Sequence, residues 1–108
     1  MLPKSLLIVA ATTGMLTEAT AKRCENFTGT YGVYAVGSGK ANADCRGAPY
    51  PCILHNNQGR AELLPDRKNI HRWIVNPLDE HWAKLIAVDH NNCKEIVFSN
   101  GTIWKMEK

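Results

Sequence analysis

Asn100-Gly101, set between Lys94-Glu-Ile-Val-Phe-Ser99 and Thr102-Ile-Trp-Lys-Met106, constrains this chain more than any other pair of residues. Both residues tolerate the positive φ that a tight turn demands, which makes Asn-Gly between β-prone runs the strongest short-range hairpin signal. Taken as a two-residue loop, it sets Ser99 against Thr102, Phe98 against Ile103, Val97 against Trp104 and Lys94 against Glu107. Aromatic/β-branched and cation/anion pairs of this kind each add about 0.2–1 kcal/mol, so they reinforce the register. A second hairpin precedes it, in which Trp82-Ala-Lys-Leu-Ile-Ala-Val88 runs into the polar bend Asp89-His-Asn-Asn92 and then Cys93. Cys93 is therefore placed to tie the rest of the chain to this two-hairpin unit.

The other end of the chain carries a different signature. Met1-Leu-Pro-Lys4 is a short basic start, residues 5–16 are mostly apolar, and Ala19 and Ala21 put small residues where a signal peptidase reads. That predicts a secretory signal peptide over residues 1–21 and one small domain over residues 22–108. The apolar run, about a dozen residues, falls short of the ~20 that a helical anchor needs, so no membrane association is expected. Lys4 and Glu18 cancel, and the formal net charge of +3 stays with the mature chain. So mild a surplus permits weak attraction to anionic partners and singles out none.

A domain of this size buries a small core, and in an oxidising compartment disulfides supplement it. All four cysteines, Cys24, Cys45, Cys52 and Cys93, follow the expected cleavage point. Three pairings are open to them. The favoured one joins Cys24 to Cys93, fastening the N-terminus to the hairpin unit, and Cys45 to Cys52 around Pro49 and Pro51. Loop entropy gives about 4 kcal/mol for the long closure and about 2.5 kcal/mol for the short one. No Cys-x-x-Cys pair is present, and neither a metal nor another cofactor is expected. Asn26-Phe-Thr28 and Asn100-Gly-Thr102 are acceptor sequons, which makes Asn26 and Asn100 candidate glycosylation sites.

The middle of the chain reads less sharply. Residues 31–36 alternate like a strand, while Val33, Val36, Lys40, Ala41 and Cys45 share one helical face and the alanines of residues 40–45 favour a helical turn or two. Residues 52–55 suit a short strand, 60–68 a polar excursion around Leu63-Leu64, and 70–75 a further strand closed by Asn76-Pro77.

Four pieces of this sequence fall into a known order: Cys24 with Cys45; Tyr50-Pro51; Arg72-Trp73-Ile74; and Lys84-Leu-Ile leading through Asn91-Asn92-Cys93 to Glu95-Ile-Val and a glycine turn. The order resembles the small secreted fungal ribonucleases of the T1 type, and more closely the ribonuclease-like effectors that powdery mildew fungi deliver into cereal cells. The resemblance implies an α+β fold, one short helix packed on a twisted antiparallel sheet. It also implies a catalytic set, because cyclising an RNA 2′-OH onto its phosphate needs a base, an acid and a cation converging on one phosphorus. Only Tyr50 matches that set. Cys52 stands where the family has a histidine, Arg72 where it has the glutamate, Lys84 where it has the arginine and Ser99 where it has the last histidine. The implied protein is a ribonuclease scaffold without the activity.

Other chemistry is sparse. His55, His71, His81 and His90 show no spacing that marks a catalytic pair, and no enzymatic activity is expected. Arg60, Arg67, Lys68 and Arg72 form the one basic concentration, diluted by Glu62 and Asp66. With Tyr50 and Lys84 they are the candidate contacts for RNA or a protein partner. Trp73, Trp82 and Trp104 occupy strand positions and suit a core better than a base-stacking platform.

The leading expectation is thus a monomeric secreted effector, an avirulence or virulence protein without catalysis, that binds a host plant protein or RNA. As the resemblance implies, it is carried on into the host cytoplasm, where an immune receptor is one partner. Asp89-His-Asn-Asn-Cys93, Ile96-Val-Phe98 and Asn100-Gly101 also resemble the six-stranded β-sandwich effectors of the rice blast fungus, which bind host heavy-metal-associated domains. That alternative is all-β. A third, an active small secreted ribonuclease, requires two of the four histidines to meet in space.

Overall fold

The computed structural model describes residues 23, 24, 26–46 and 51–107. Along them the side chains alternate between interior and solvent with a period of two, the signature of strands with one buried face. Eight strands result: β1 (Gly29–Tyr34), β2 (Lys40–Cys45), β3 (Cys52–Asn56), β4 (Gly59–Pro65), β5 (Arg72–Pro77), β6 (Leu85–His90), β7 (Glu95–Phe98) and β8 (Ile103–Met106). Each pairs antiparallel with the next, and β8 returns to β1 through Tyr31↔Met106, Gly32↔Lys105, Val33↔Trp104 and Tyr34↔Ile103. The sheet is a closed up-and-down barrel with no free edge.

Two fold expectations are corrected. There is no helix among the described residues, so the α+β, ribonuclease-like architecture does not hold. The six-stranded sandwich fails as well, because the strands number eight and close on themselves. The reason lies in residues 31–45. Ala35, Gly37 and Gly39 take φ of 72°, 86° and 102°, which turns the chain back between β1 and β2 and forbids a helix there. In β2 the inward residues are Ala41 and Ala43, with Lys40, Asn42 and Asp44 outside. Alanine serves a helix and a narrow barrel wall equally, which hid the strand. Residues 60–68, read as a polar excursion, belong largely to β4, with Ala61 and Leu63 inside and Arg60 and Glu62 toward solvent.

The hairpin at Asn100-Gly101 exists in a different register. Val97 pairs with Ile103 and Ile96 with Trp104, while the Phe98 N–H donates to the Thr102 carbonyl (2.8 Å). The loop is therefore Ser99-Asn100-Gly101, with Gly101 alone at positive φ (95°). A three-residue loop ending on a left-handed glycine is the next most common hairpin after the two-residue kind. The one-residue slip sends Ile96, Phe98 and Trp104 inward together.

Small and large side chains share the interior. Ala41, Ala43, Ala61 and Ala87 leave room for Phe27, Tyr31, Leu54, Leu63, Trp73, Val75, Ile96, Phe98 and Trp104. An eight-stranded barrel is just wide enough to be filled this way. The favoured cysteine pairing is the one present: Cys24 is bonded to Cys93 and Cys45 to Cys52.

Candidate functional site

Because successive strands alternate in direction, their connections gather at two ends of the barrel. Residues 35–39, 57–58, 78–84 and 99–102 lie at one end, while residues 66–71 and 91–94 and the N-terminal segment lie at the other. The first end is open. A cavity of about 500 Å³ enters the barrel there, with Trp82, Trp104, Phe98, Leu85 and Val33 as its apolar part. Its rim is polar, supplied by Ser38, Asn56, Asn57, Gln58, Asn100 and Thr102. Among the described residues, Lys40 and His81 are the ionisable ones that line it, and Lys40 is paired with Glu107.

The aromatic rings form a staircase. The Tyr31 and Trp104 centroids lie 5.8 Å apart deep in the barrel, Phe98 packs on Trp104 at 5.1 Å, and Trp82 meets Trp104 at 5.9 Å and Phe98 at 6.2 Å. Trp82 is half-buried, and its indole N–H is buried without a hydrogen-bond partner, a deficit that ordinarily costs about 1–3 kcal/mol. Beside the cavity, a shallower depression is lined by Leu78, Asp79, Glu80 and their neighbours. Asp79 is engaged there, accepting from the Arg60 N–H at 2.6 Å and lying over Gly59, where φ is 123°.

The second end is sealed. Phe27 is fully buried and stands edge-on to Trp73 at 4.9 Å, and Arg23 stacks over the same indole while donating to the carbonyls of Asp66, Asn69 and Arg72. The Tyr31 hydroxyl donates to the Phe27 carbonyl (2.5 Å), with that of Cys93 at 3.1 Å, so it bridges the two segments that the Cys24–Cys93 bond joins. Burial pushes the Tyr31 hydroxyl pKa well above its ordinary value. Asp89 is 4% exposed; its carboxylate accepts from Trp73 Nε1 (2.7 Å) and lies 3.0 Å from His71 Nδ1. The His71 ring is 60% exposed. A carboxylate-oriented imidazole is one part of an acid–base site, and the described contacts bring no nucleophile or second histidine to it.

No protein-family model matches the chain, and neither a curated protein nor a solved structure does. The site residues expected from sequence therefore stand on their positions alone. Tyr50 lies outside the described residues, as does the signal peptide expected over residues 1–21. Arg67, Lys68 and Arg72 share the connection and strand start at the sealed end, whereas Arg60 and Lys84 lie toward the mouth. All five are exposed, but they do not converge on one point. Arg72 lies 3.8 Å from Asp66 and Arg60 3.7 Å from Asp79. Cys52 is bonded to Cys45, and the Ser99 hydroxyl accepts from the Ile86 N–H (3.0 Å), a structural task. Asn26 and Asn100 are exposed, each accepting from the N–H two residues on.

The sequence reading missed both the mouth and the pairing of His71 with Asp89. The second follows from strand register: β5 and β6 pair Arg72 with Val88, which sets His71 opposite Asp89. The mouth had no local signal, because four connections far apart in the chain build it.

Proposed function

We propose that this chain is an exported, non-enzymatic binding protein whose open barrel mouth receives one small ligand. The observation that carries the reading is the cavity of about 500 Å³ with an aromatic interior and a polar rim. Small-molecule sites are concave, largely apolar, about 300–1,000 Å³ in volume, and common in the mouths of barrels. Two disulfide closures and the sealed opposite end support it, since they hold the walls rigid before a ligand arrives. Export rests on the signal-like residues 1–21 and suits the disulfides. In the setting that the sequence resemblance implies, an effector acting on a plant host, the ligand is a small host molecule and the mode of action is sequestration.

Titration with the dye 1-anilinonaphthalene-8-sulfonate tests the mouth. One dye should bind per chain with enhanced emission, Trp82→Ala should weaken it by about tenfold or more, and His71→Ala, at the far end, should leave it unchanged. Equal binding by wild type and Trp82→Ala, or none by either, contradicts the reading.

A further inference from the structure

We infer that two copies of this chain pair through the outer wall of the barrel, the β6–β7 face of each lying on that of the other about a two-fold axis. The surface is independent of the mouth.

A strand with one face in the interior and one in water carries polar residues on the outside. Strand β2 keeps that rule, with Lys40, Asn42 and Asp44 on the outer wall. The opposite side of the barrel breaks it. There the registers set Leu64 beside Ile74 and Ile74 beside Ile86, all facing outward. In the next row Val88 lies beside Val97, Val97 beside Ile103 and Ile103 beside Tyr34. Ile86 and Val88 are two residues apart on one face of β6 and join the rows. Ile86 is 40% and Tyr34 51% exposed, and the other five are partly exposed. Single apolar side chains on a surface are ordinary, whereas a continuous apolar stretch marks an interaction site. With the barrel closed, no strand edge competes for the partner.

Charge identifies the partner as a second copy. Contact about a two-fold axis requires a patch that complements itself. Exposed Lys84 lies toward the mouth, four residues before Val88, and Glu95 toward the sealed end, two residues before Val97. Since Val88 and Val97 are level, Lys84 and Glu95 stand ~20 Å apart along the wall at about 3.3 Å per residue, on either side of a midpoint between Ile86 and Val88. A two-fold axis lying in the contact and crossing the strands at that midpoint brings Lys84 of each copy to Glu95 of the other, with the apolar rows between. Among the described residues neither Lys84 nor Glu95 forms an ion pair within the chain. The cross-strand neighbours of Glu95 are His90 and Lys105, and Lys105 stands over the Tyr34 ring, 5.6 Å from its centre. A purely anionic partner would leave Glu95 unanswered and a purely cationic one Lys84; a second copy answers both. A pair of this kind departs from the monomer expected from sequence.

Sedimentation velocity on the whole chain with both disulfides formed, from about 5 to 300 µM, suits a contact at the small end of interface sizes. The sedimentation coefficient should rise from the monomer toward the dimer value across that range. Ile86→Asp, at the centre of the contact, should weaken pairing by about tenfold or more, while His55→Asp, on the polar side of the wall, should leave it unchanged. Lys84→Glu and Glu95→Lys should each weaken it by about tenfold, and the double variant should recover wild-type pairing, a rescue that a merely unfolded variant does not show. A wild type that stays monomeric throughout overturns the inference, as does pairing that Ile86→Asp leaves intact. A monomer that instead binds phosphatidylglycerol vesicles through Ile86 assigns the wall to a lipid surface and overturns it too. A double variant that pairs no better than the single ones overturns the two-fold register.

Discussion

Asp89 is the one buried charged side chain among the described residues, and it holds both the Trp73 N–H and the His71 ring. Replacing it with alanine strands the Trp73 N–H in the interior and frees the His71 ring. Asp89→Ala should lower the free energy of unfolding by about 3 kcal/mol, read from urea titration, with Asp89→Asn, which keeps an acceptor, costing less. Tyr31 gives a second residue-level expectation, with a definite sign. Its hydroxyl titrates higher in the folded protein than the ordinary 10.0, so the folded state keeps a proton that the unfolded chain loses. Stability should therefore be flat below pH 10 on this account and fall above it, by up to about 1.4 kcal/mol per pH unit. Tyr31→Phe should be less stable near neutrality by about 1 kcal/mol and lose that alkaline decline. Asp89 was hidden from a residue-by-residue reading because its neighbours Asp89-His-Asn-Asn92 look like any polar bend; only the pairing across β5 and β6 reveals its partner.

Among elements, the hairpins of the last third were legible and their register was not. Chemical compatibility supported Val97 opposite Trp104, yet backbone conformation chose Ile96. Asn100 stays out of the left-handed region and only Gly101 enters it, which lengthens the loop by one residue and flips the inward set. Gly101→Ala places a Cβ at φ 95° and 3.4 Å from Val36, so it should cost about 1–2 kcal/mol in the same urea experiment. Strand β2 shows the opposite failure. Its alternation is real, but its inward side chains are alanines, and a pattern read from bulk cannot see them. The connection at residues 91–94 adds a further case: Asn91, Asn92 and Cys93 are all left-handed, a conformation asparagine tolerates and the Cys24–Cys93 bond holds in place.

At the scale of the whole molecule, an even number of strands lets the first and last pair antiparallel, and closure divides the connections into two groups with different tasks. One end is packed with Phe27, Arg23, Trp73, Asp89 and a disulfide; the other is left open over an aromatic staircase. The all-β class was within the alternatives the chain offered, but the closed barrel was not, because closure depends on β1 meeting β8, a contact between its two extremes with no local mark. The three tryptophans divide between the ends, Trp73 at the sealed one and Trp82 and Trp104 at the mouth, which makes them reporters of where a ligand sits. With all three replaced by 5-fluorotryptophan, a ¹⁹F NMR titration with 1-anilinonaphthalene-8-sulfonate should shift the Trp82 and Trp104 signals and leave Trp73 in place. A shift of Trp73 alone, or no shift of any of the three at saturating concentration, would contradict a binding mouth at the open end of this barrel.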